Sequence, residues 1–216
     1  MNYLQAVNAV LRRLREDQVT TVNETDYAQL IGDYVNDAKR LVEDAWDWSA
    51  LRYTYEFLTT PGVELYSLTD FGTRSKVLYV HNETDDHIIH QQTLQYIRRL
   101  SLNKATEDVG RISYWAMQGA DANGDAQIRF YRPPKDIEAI SVYTVLRPDD
   151  LVDDTDKILV PTNPVIQLAY AYALRERGET GGISSGEQAV FANNYLNDAI
   201  ALDAAQRPEE TIWMVT

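Results

Sequence analysis

The sequence contains no cysteine in its 216 residues, which excludes a disulfide framework, a thiol nucleophile and a thiolate metal site. Long apolar runs are also missing, and none approaches the roughly 20 residues that a membrane helix needs. Near the N-terminus, Arg12, Arg13 and Arg15 follow the apolar residues, which is the wrong order for a secretory signal. These absences predict a soluble protein without a membrane partner.

Basic residues are scarce, since 20 Lys and Arg stand against 33 Asp and Glu and give a formal charge of −13. A surface of this charge repels phosphates, which argues against tight wrapping of a nucleic acid. The same charge lets DNA pass close to the protein without adhering to it.

Familiar catalytic motifs are absent as well. The sequence has no Gly-x-Ser-x-Gly elbow, no phosphate-binding loop, no Gly-x-Gly-x-x-Gly and no His-Glu-x-x-His. It therefore indicates neither a catalytic residue nor a cofactor. One alternative stays open, because any two of the 33 carboxylates could converge as the acid pair of a glycoside hydrolase.

The stretch "DANGDAQ" has acidic and amide oxygens at alternate positions, as a calcium-binding loop does. Ala126 and Arg132, however, occupy the places where that loop needs a glycine and a bidentate glutamate. Asn123-Gly124 between two alternating runs instead predicts a two-residue hairpin turn, since both residues tolerate positive φ.

All three histidines lie in "HNETDDHIIH", beside two aspartates. On a strand, His87 and His90 point to opposite faces because their separation is odd. A turn over residues 83–86 sets His87 opposite Asn82. The stretch therefore predicts a second solvated hairpin rather than a metal site, with a turn that contains Thr84, Asp85 and Asp86.

The order of the patterns predicts an α+β fold. Apolar residues at helical spacing indicate one helix over about residues 3–16 and a second from Tyr27 to Ala45, capped by Asn23 or Thr25, with its acids on the outer face. Seven runs rich in Tyr and Val, interrupted by the short helix "LQYIRRLSL", indicate an antiparallel β subdomain.

Helical periodicity returns in the last third of the chain. Asn163 is the expected cap of a third long helix, with Pro164 in its first turn and Gly178 at its end. The last helix starts at Ser184 or Ser185, the latter with Gln188 as a capping box.

Four amphipathic helices can bury their apolar stripes against one another, so we predict a four-helix core with a β insertion. The core comprises residues 1–51 and 148–206, the inserted β subdomain comprises residues 52–147, and an extended C-terminal arm comprises residues 207–216. Trp46 and Trp48 lie at the passage into the β subdomain, where we expect them to join the two layers.

The arm is unusual because it ends in apolar residues after a proline and two glutamates. An apolar segment behind a polar linker needs a surface that covers it, and Trp is a common interface anchor. We expect the arm to bind a partner through Ile212, Trp213, Met214 and Val215.

Taken in order, several segments resemble the head-to-tail adaptor family of short-tailed bacteriophages (podoviruses), also called gatekeeper or tail tubular protein A. They are "AVNAVLRRL", "VNDAKRLVEDAWDWSALR", "RFYRPPKDIEAISVYTVLRPDDLVDDTD", "LVPTNPVIQLAYAYALRERGE" and "FANNYLNDAI". The resemblance covers nearly the whole chain and depends on the order and spacing of these segments.

The resemblance implies a structural virion protein, made and assembled in the host cytoplasm, and no enzyme. Twelve copies would form a ring between the portal protein and the tail nozzle, tail tubular protein B, with double-stranded DNA passing through its channel. The arm would dock on a neighbouring subunit or on the portal, and the two hairpins would face the nozzle. A neck connector of a long-tailed phage and a virion-associated hydrolase are the alternatives.

Overall fold

The computed structural model describes residues 1–72, 74–102, 109–178 and 184–206. The chain divides into two compact units: a helical unit, Met1–Ala50 with Asp150–Thr216, and a sheet unit, Leu51–Asp149. The predicted α+β class is confirmed. None of the described helices combines the length and the hydropathy needed to cross a bilayer.

The helical unit contains four of the described helices and the sheet unit contains a short helix and all the described strands. The helices are α1 (Tyr3–Arg13), α2 (Asp26–Ala45), α3 (Leu94–Leu102), α4 (Thr162–Arg177) and α5 (Ser185–Ala205). The strands are β1 (Arg52–Leu58), β2 (Leu65–Leu68), β3 (Lys76–Asn82), β4 (His87–Gln91), β5 (Tyr114–Ala120), β6 (Ala126–Tyr131) and β7 (Ala139–Val145).

The first two helices begin at side-chain caps. The carboxamide of Asn2 accepts from the backbone N–H of Gln5 at 2.9 Å and caps α1, and the Thr25 hydroxyl accepts from Ala28 at 3.1 Å and caps α2. The expected length of α1 is three residues too long, because Arg15 has a φ of 60°, which a right-handed helix does not allow.

In the last third of the chain the expected Asn163 cap is wrong, whereas α5 begins at Ser185, one of the two starts that the sequence predicts. α4 begins after Pro161 without a side-chain cap, although Gly178 ends it in the left-handed conformation at a φ of 61°. α5 is capped by Ser184, whose hydroxyl accepts from Glu187 at 3.2 Å. The Ser185–Gln188 box does not form, because the Gln188 amide donates to the Gln167 side chain on α4 at 2.7 Å.

α4 is the central helix of the helical unit, since it packs against α1, α2 and α5. α1 and α2 approach closely at Gly32, where a Cβ would lie 2.4 Å from the Tyr3 Oη. The prediction that the acids of α2 all face outward is wrong at one residue. Glu43 is fully buried with Lys39 one turn away, and their charged atoms are 3.1 Å apart.

The sheet unit contains one seven-stranded sheet in the order β1-β7-β3-β4-β5-β6-β2. All pairs are antiparallel except β4 and β5, which pair in parallel through His90 with Tyr114 and Gln91 with Trp115. The prediction of an entirely antiparallel subdomain is therefore wrong. The connection from β4 to β5 contains α3, and a crossover of this kind allows parallel pairing.

The core of the sheet unit is one cluster of buried apolar side chains. Trp115, which is 1% exposed, lies within it. The other buried members are Leu68, Phe71, Val80, Ile89, Ile112, Ile128, Phe130, Ile140 and Val142.

Candidate interaction surfaces

The β3–β4 turn is an acidic tip of the sheet unit. His87 pairs with Asn82, as the sequence predicts. The buried Asn82 accepts from the backbone N–H groups of Thr84 at 3.0 Å and Asp85 at 3.2 Å. The Asp86 side chain is 97% exposed. The turn thus presents carboxylates on a backbone that its own side chains hold in place.

The histidine rings at this turn contact neighbouring groups of the sheet unit. The His81 ring lies 3.1 Å from Glu83 and 3.4 Å from Asp86. Hydrogen bonds from Ser141 and then His81 lower the pKa of Glu83. The His87 Nε2 lies 3.0 Å from the Ile112 carbonyl oxygen. Each of these rings is engaged by a neighbouring group of the sheet.

The β5–β6 hairpin forms, but its turn is longer than the predicted two residues. Residues 121–125 form the loop, and Gly124 alone of the Asn123-Gly124 pair has positive φ, at 91°. The Asp121 carboxylate accepts from the backbone N–H groups of Asn123 at 2.8 Å and Asp125 at 3.1 Å. A hydrogen bond with Ser67 and then these backbone donors lower the pKa of Asp121.

The Asp121 carboxylate, which resembles a calcium ligand in the sequence, thus binds backbone groups of its own loop. The Asp125 carboxylate also accepts from the backbone N–H of Asp70 at 2.9 Å. Across the described ranges, no group of three or more His, Asp and Glu side chains is arranged to hold a metal ion.

The two hairpin turns lie at opposite ends of the strands of the sheet. β4 and β5 run parallel, so the start of β4, where the β3–β4 turn lies, is level with the start of β5. The β5–β6 loop follows the end of β5. The structure therefore does not bring Thr84, Asp85 and Asp86 together with Asn123 and Gly124.

Trp46 and Trp48 form hydrogen bonds within the helical unit. The buried Trp48 donates from Nε1 to the Val42 carbonyl at 2.7 Å. Trp46 donates to the Asp203 carboxylate at 2.9 Å, and the backbone N–H of Ser49 donates to the same carboxylate at 3.2 Å. These bonds join the end of α2 to the end of α5. The expected role of the two tryptophans at the junction with the β subdomain stays a prediction.

α5 exposes an apolar face that the sequence analysis missed. Its buried side, with Ala192 and Leu196, packs on α4. On another side Phe191, Tyr195 and Leu202 are 50%, 42% and 69% exposed. Together with the exposed Asp198 they follow spacings of four, three and four residues, which place all four on one face of a helix. We call these four residues the α5 outer stripe.

A groove of about 600 Å³ lies between α2 and α4 in the same unit. Tyr34 and Tyr172 meet in it edge to face, with ring centroids 6.1 Å apart. Burial is the first cause that raises the pKa of both phenols, and nearby carboxylates raise it further. Both hydroxyls therefore stay protonated. We call this surface the α2/α4 groove, and it is lined by Tyr34, Asp37, Tyr172, Arg175 and Glu176.

The sequence carries a signal for the α5 outer stripe but not for the α2/α4 groove. Besides the buried Ala192 and Leu196, α5 has a second apolar stripe at helical spacing, which consists of Phe191, Tyr195 and Leu202. No pattern in the sequence indicates the groove, because Tyr34 and Tyr172 are 138 residues apart along the chain. The predicted arm residues Ile212, Trp213, Met214 and Val215 lie outside the described residues.

Comparison with known proteins adds one family. The model of the family described as SU10 adaptor protein matches residues 1–213 of the chain. No curated protein matches the sequence significantly.

Proposed function

The chain belongs to the SU10 adaptor protein family, a family of phage adaptors, and from this membership we propose that it joins the portal to the tail nozzle of a short-tailed phage. The observation that carries the proposal is the family match over residues 1–213, which includes both units. The family is structural, and we propose no catalytic role for the chain.

In this proposal the adaptor forms a ring, with twelve copies as in the adaptors that the sequence resembles. Twelve copies at −13 each carry −156 formal charges. A channel lined by a share of these charges repels the phosphates of double-stranded DNA, so the genome slides through without specific binding.

The nozzle contact is proposed for the hairpins of the sheet unit. Because the two hairpin turns lie at opposite ends of the strands, a flat partner at one end of the sheet unit contacts only one of them. The β3–β4 turn is the better candidate, because the Asp86 side chain in it is almost fully exposed.

The portal contact is proposed for the arm, through Ile212, Trp213, Met214 and Val215. An extended segment can add to a sheet edge of the partner, where backbone hydrogen bonds give affinity and alternate side chains enter pockets. Helix α5 ends at Ala205, so the arm follows this helix closely along the chain.

The test is light scattering on the purified protein, alone and mixed with portal rings. We expect a ring-sized species alone, or one that appears only on the portal, and loss of portal binding when residues 208–216 are deleted. A variant with Glu209→Gln and Glu210→Gln, which keeps the apolar residues of the arm, is the matched control and should still bind. A protein that stays monomeric and ignores the portal would refute the proposal, and screening on cell-wall and capsule polysaccharides would then test the hydrolase alternative.

A further inference from the structure

We propose that the α5 outer stripe of one copy of this chain docks in the α2/α4 groove of a second copy. The inference rests on the proposed function, because it names the two surfaces through which neighbouring copies of the ring meet. Both surfaces lie within the helical unit.

The stripe has the composition of an interface. Between Gln188 and Asn197, ten consecutive residues of α5 carry no charge, in a protein in which 25% of the residues are charged. Interface centres are depleted in charge and enriched in aromatic residues. Each half-exposed ring leaves on the order of 100 Å² of surface uncovered, so the stripe and its flanks reach the few hundred Å² at which exposed patches mark interaction sites.

A ring of identical subunits needs two different surfaces on each copy, because a head-to-tail contact joins unlike patches. The stripe and the groove meet this need, since they share no residue. Helix α4 contributes Tyr172 to the groove and packs against α5, which carries the stripe. One copy can therefore offer its stripe while its groove receives the stripe of the next.

One pair of opposite charges can form between the two surfaces, although the groove also contains the carboxylates of Asp37 and Glu176. Asp198 is the one carboxylate of the stripe, and Arg175 is the one cation among the residues that line the groove. Within the described part of the chain, neither has an ion-pair partner. Asp37, also in the groove, already pairs with Arg40 at 3.5 Å.

Hydrogen bonding and the net charge of the protein also favour docking of the stripe in the groove. The protonated hydroxyls of Tyr34 and Tyr172 are donors. The carboxylate of Asp198 in the stripe and the side-chain carbonyl of the exposed Asn194 beside the stripe are acceptors that docking brings to them. Copies that each carry −13 repel one another. Contact through a charge-poor stripe with one opposite-charge pair keeps that cost low.

Cysteine cross-linking tests the inference directly, because the native chain has no cysteine. Asp198→Cys and Arg175→Cys proteins are mixed and treated with a short bis-maleimide, in concentrated solution and on portal rings. We expect covalent dimers from the mixture and few from either protein alone. A variant with both substitutions should give a ladder of covalent oligomers, since each copy then links to two neighbours.

Asn197→Cys is the matched control for Asp198→Cys. It is the adjacent exposed residue of α5, but it lies about 100° around the helix, away from the stripe, and should not link to Arg175→Cys. Equal linking by the control, or linking of Asp198→Cys to itself, would overturn the inference. So would a link within one chain of a variant with Asp198→Cys and Trp213→Cys, because the arm would then cover the stripe.

A second measurement uses no cross-linker. Phe191→Glu places a charge in the stripe and should raise the concentration for half-assembly at least about tenfold, whereas Val190→Glu, 60% exposed but off the stripe, should not. Equal assembly of both variants would refute the inference. Portal binding without the expected links would overturn only the inference, and the expected links without portal binding would overturn only the proposed function.

Discussion

Replacing Lys39 by methionine should lower the free energy of unfolding of the helical unit more than any substitution on the exposed side of the same helix. Lys39 and Glu43 are both fully buried, with 3.1 Å between the ammonium nitrogen and the carboxylate oxygen. Removing the cation leaves the Glu43 carboxylate in a buried site without this countercharge. The expected loss is roughly 3–5 kcal/mol, a large fraction of the roughly 5–15 kcal/mol that stabilises a typical protein.

Removing both charges should reverse most of this loss. In the double variant Lys39→Met with Glu43→Leu, neither side chain requires a partner, and apolar residues of similar volume replace the pair. Such replacements are often neutral or stabilising by about 1–4 kcal/mol. The double-mutant cycle should therefore give an interaction energy of a few kcal/mol, near the upper end of those measured for contacting residues.

Hydrogen exchange of the α2 amides in a urea series is the assay, because it reports on the helical unit without contribution from the sheet unit. Asp37→Asn on the same helix is the control. Asp37 pairs with Arg40 at 3.5 Å with both side chains about half exposed, so its loss should cost less than about 1 kcal/mol. If Lys39→Met costs no more than this control, or the double variant is as unstable as the single one, the reasoning fails.

Three smaller predictions concern the ends and contacts of the helices. Burial, followed by nearby aspartate charges, raises the pKa of Tyr3 from 10.0 to about 12. The folded state therefore holds this proton more tightly than the unfolded state does. This difference contributes up to about 2.7 kcal/mol of stability, which is present below pH 10 and is lost as the pH rises to 12. In alkaline denaturation, the Tyr3→Phe variant should lack this loss. Gly32→Ala should destabilise the helical unit by about 1–3 kcal/mol, because the new Cβ lies 2.4 Å from the Tyr3 oxygen. Combining it with Tyr3→Phe should recover part of this stability. Additive losses from the two substitutions would contradict this reasoning. Ser184→Ala should cost about 1 kcal/mol in thermal unfolding and Ser185→Ala much less, because the Ser184 hydroxyl caps α5, and the reverse order would contradict the cap.

Much of the secondary structure could be predicted from local patterns. All seven β-rich runs contain strands, and "LQYIRRLSL" is helix α3. The turn that sets His87 opposite Asn82 forms as expected. These features depend on residues close together along the chain, namely apolar periodicity, turn dipeptides and β-branched or aromatic runs, so the sequence carries them directly.

Two of the errors have a different cause, because they depend on a partner distant along the chain. Gln188 does not cap α5, since Gln167 on α4 takes its side chain. The β4–β5 pair is parallel because of the crossover between them. The α2/α4 groove also depends on residues that are distant along the chain, since it combines α2 with α4.

The sequence by itself determined the α+β class, the position of most elements and, through its resemblance to phage adaptors, the type of protein. Periodicity and turn chemistry are local properties that need no knowledge of packing. Only the tertiary structure decided that Lys39 and Glu43 are buried and that Phe191, Tyr195 and Leu202 are exposed. Burial depends on which helix faces which, and a helix with apolar residues on two sides does not specify alone which side meets the core.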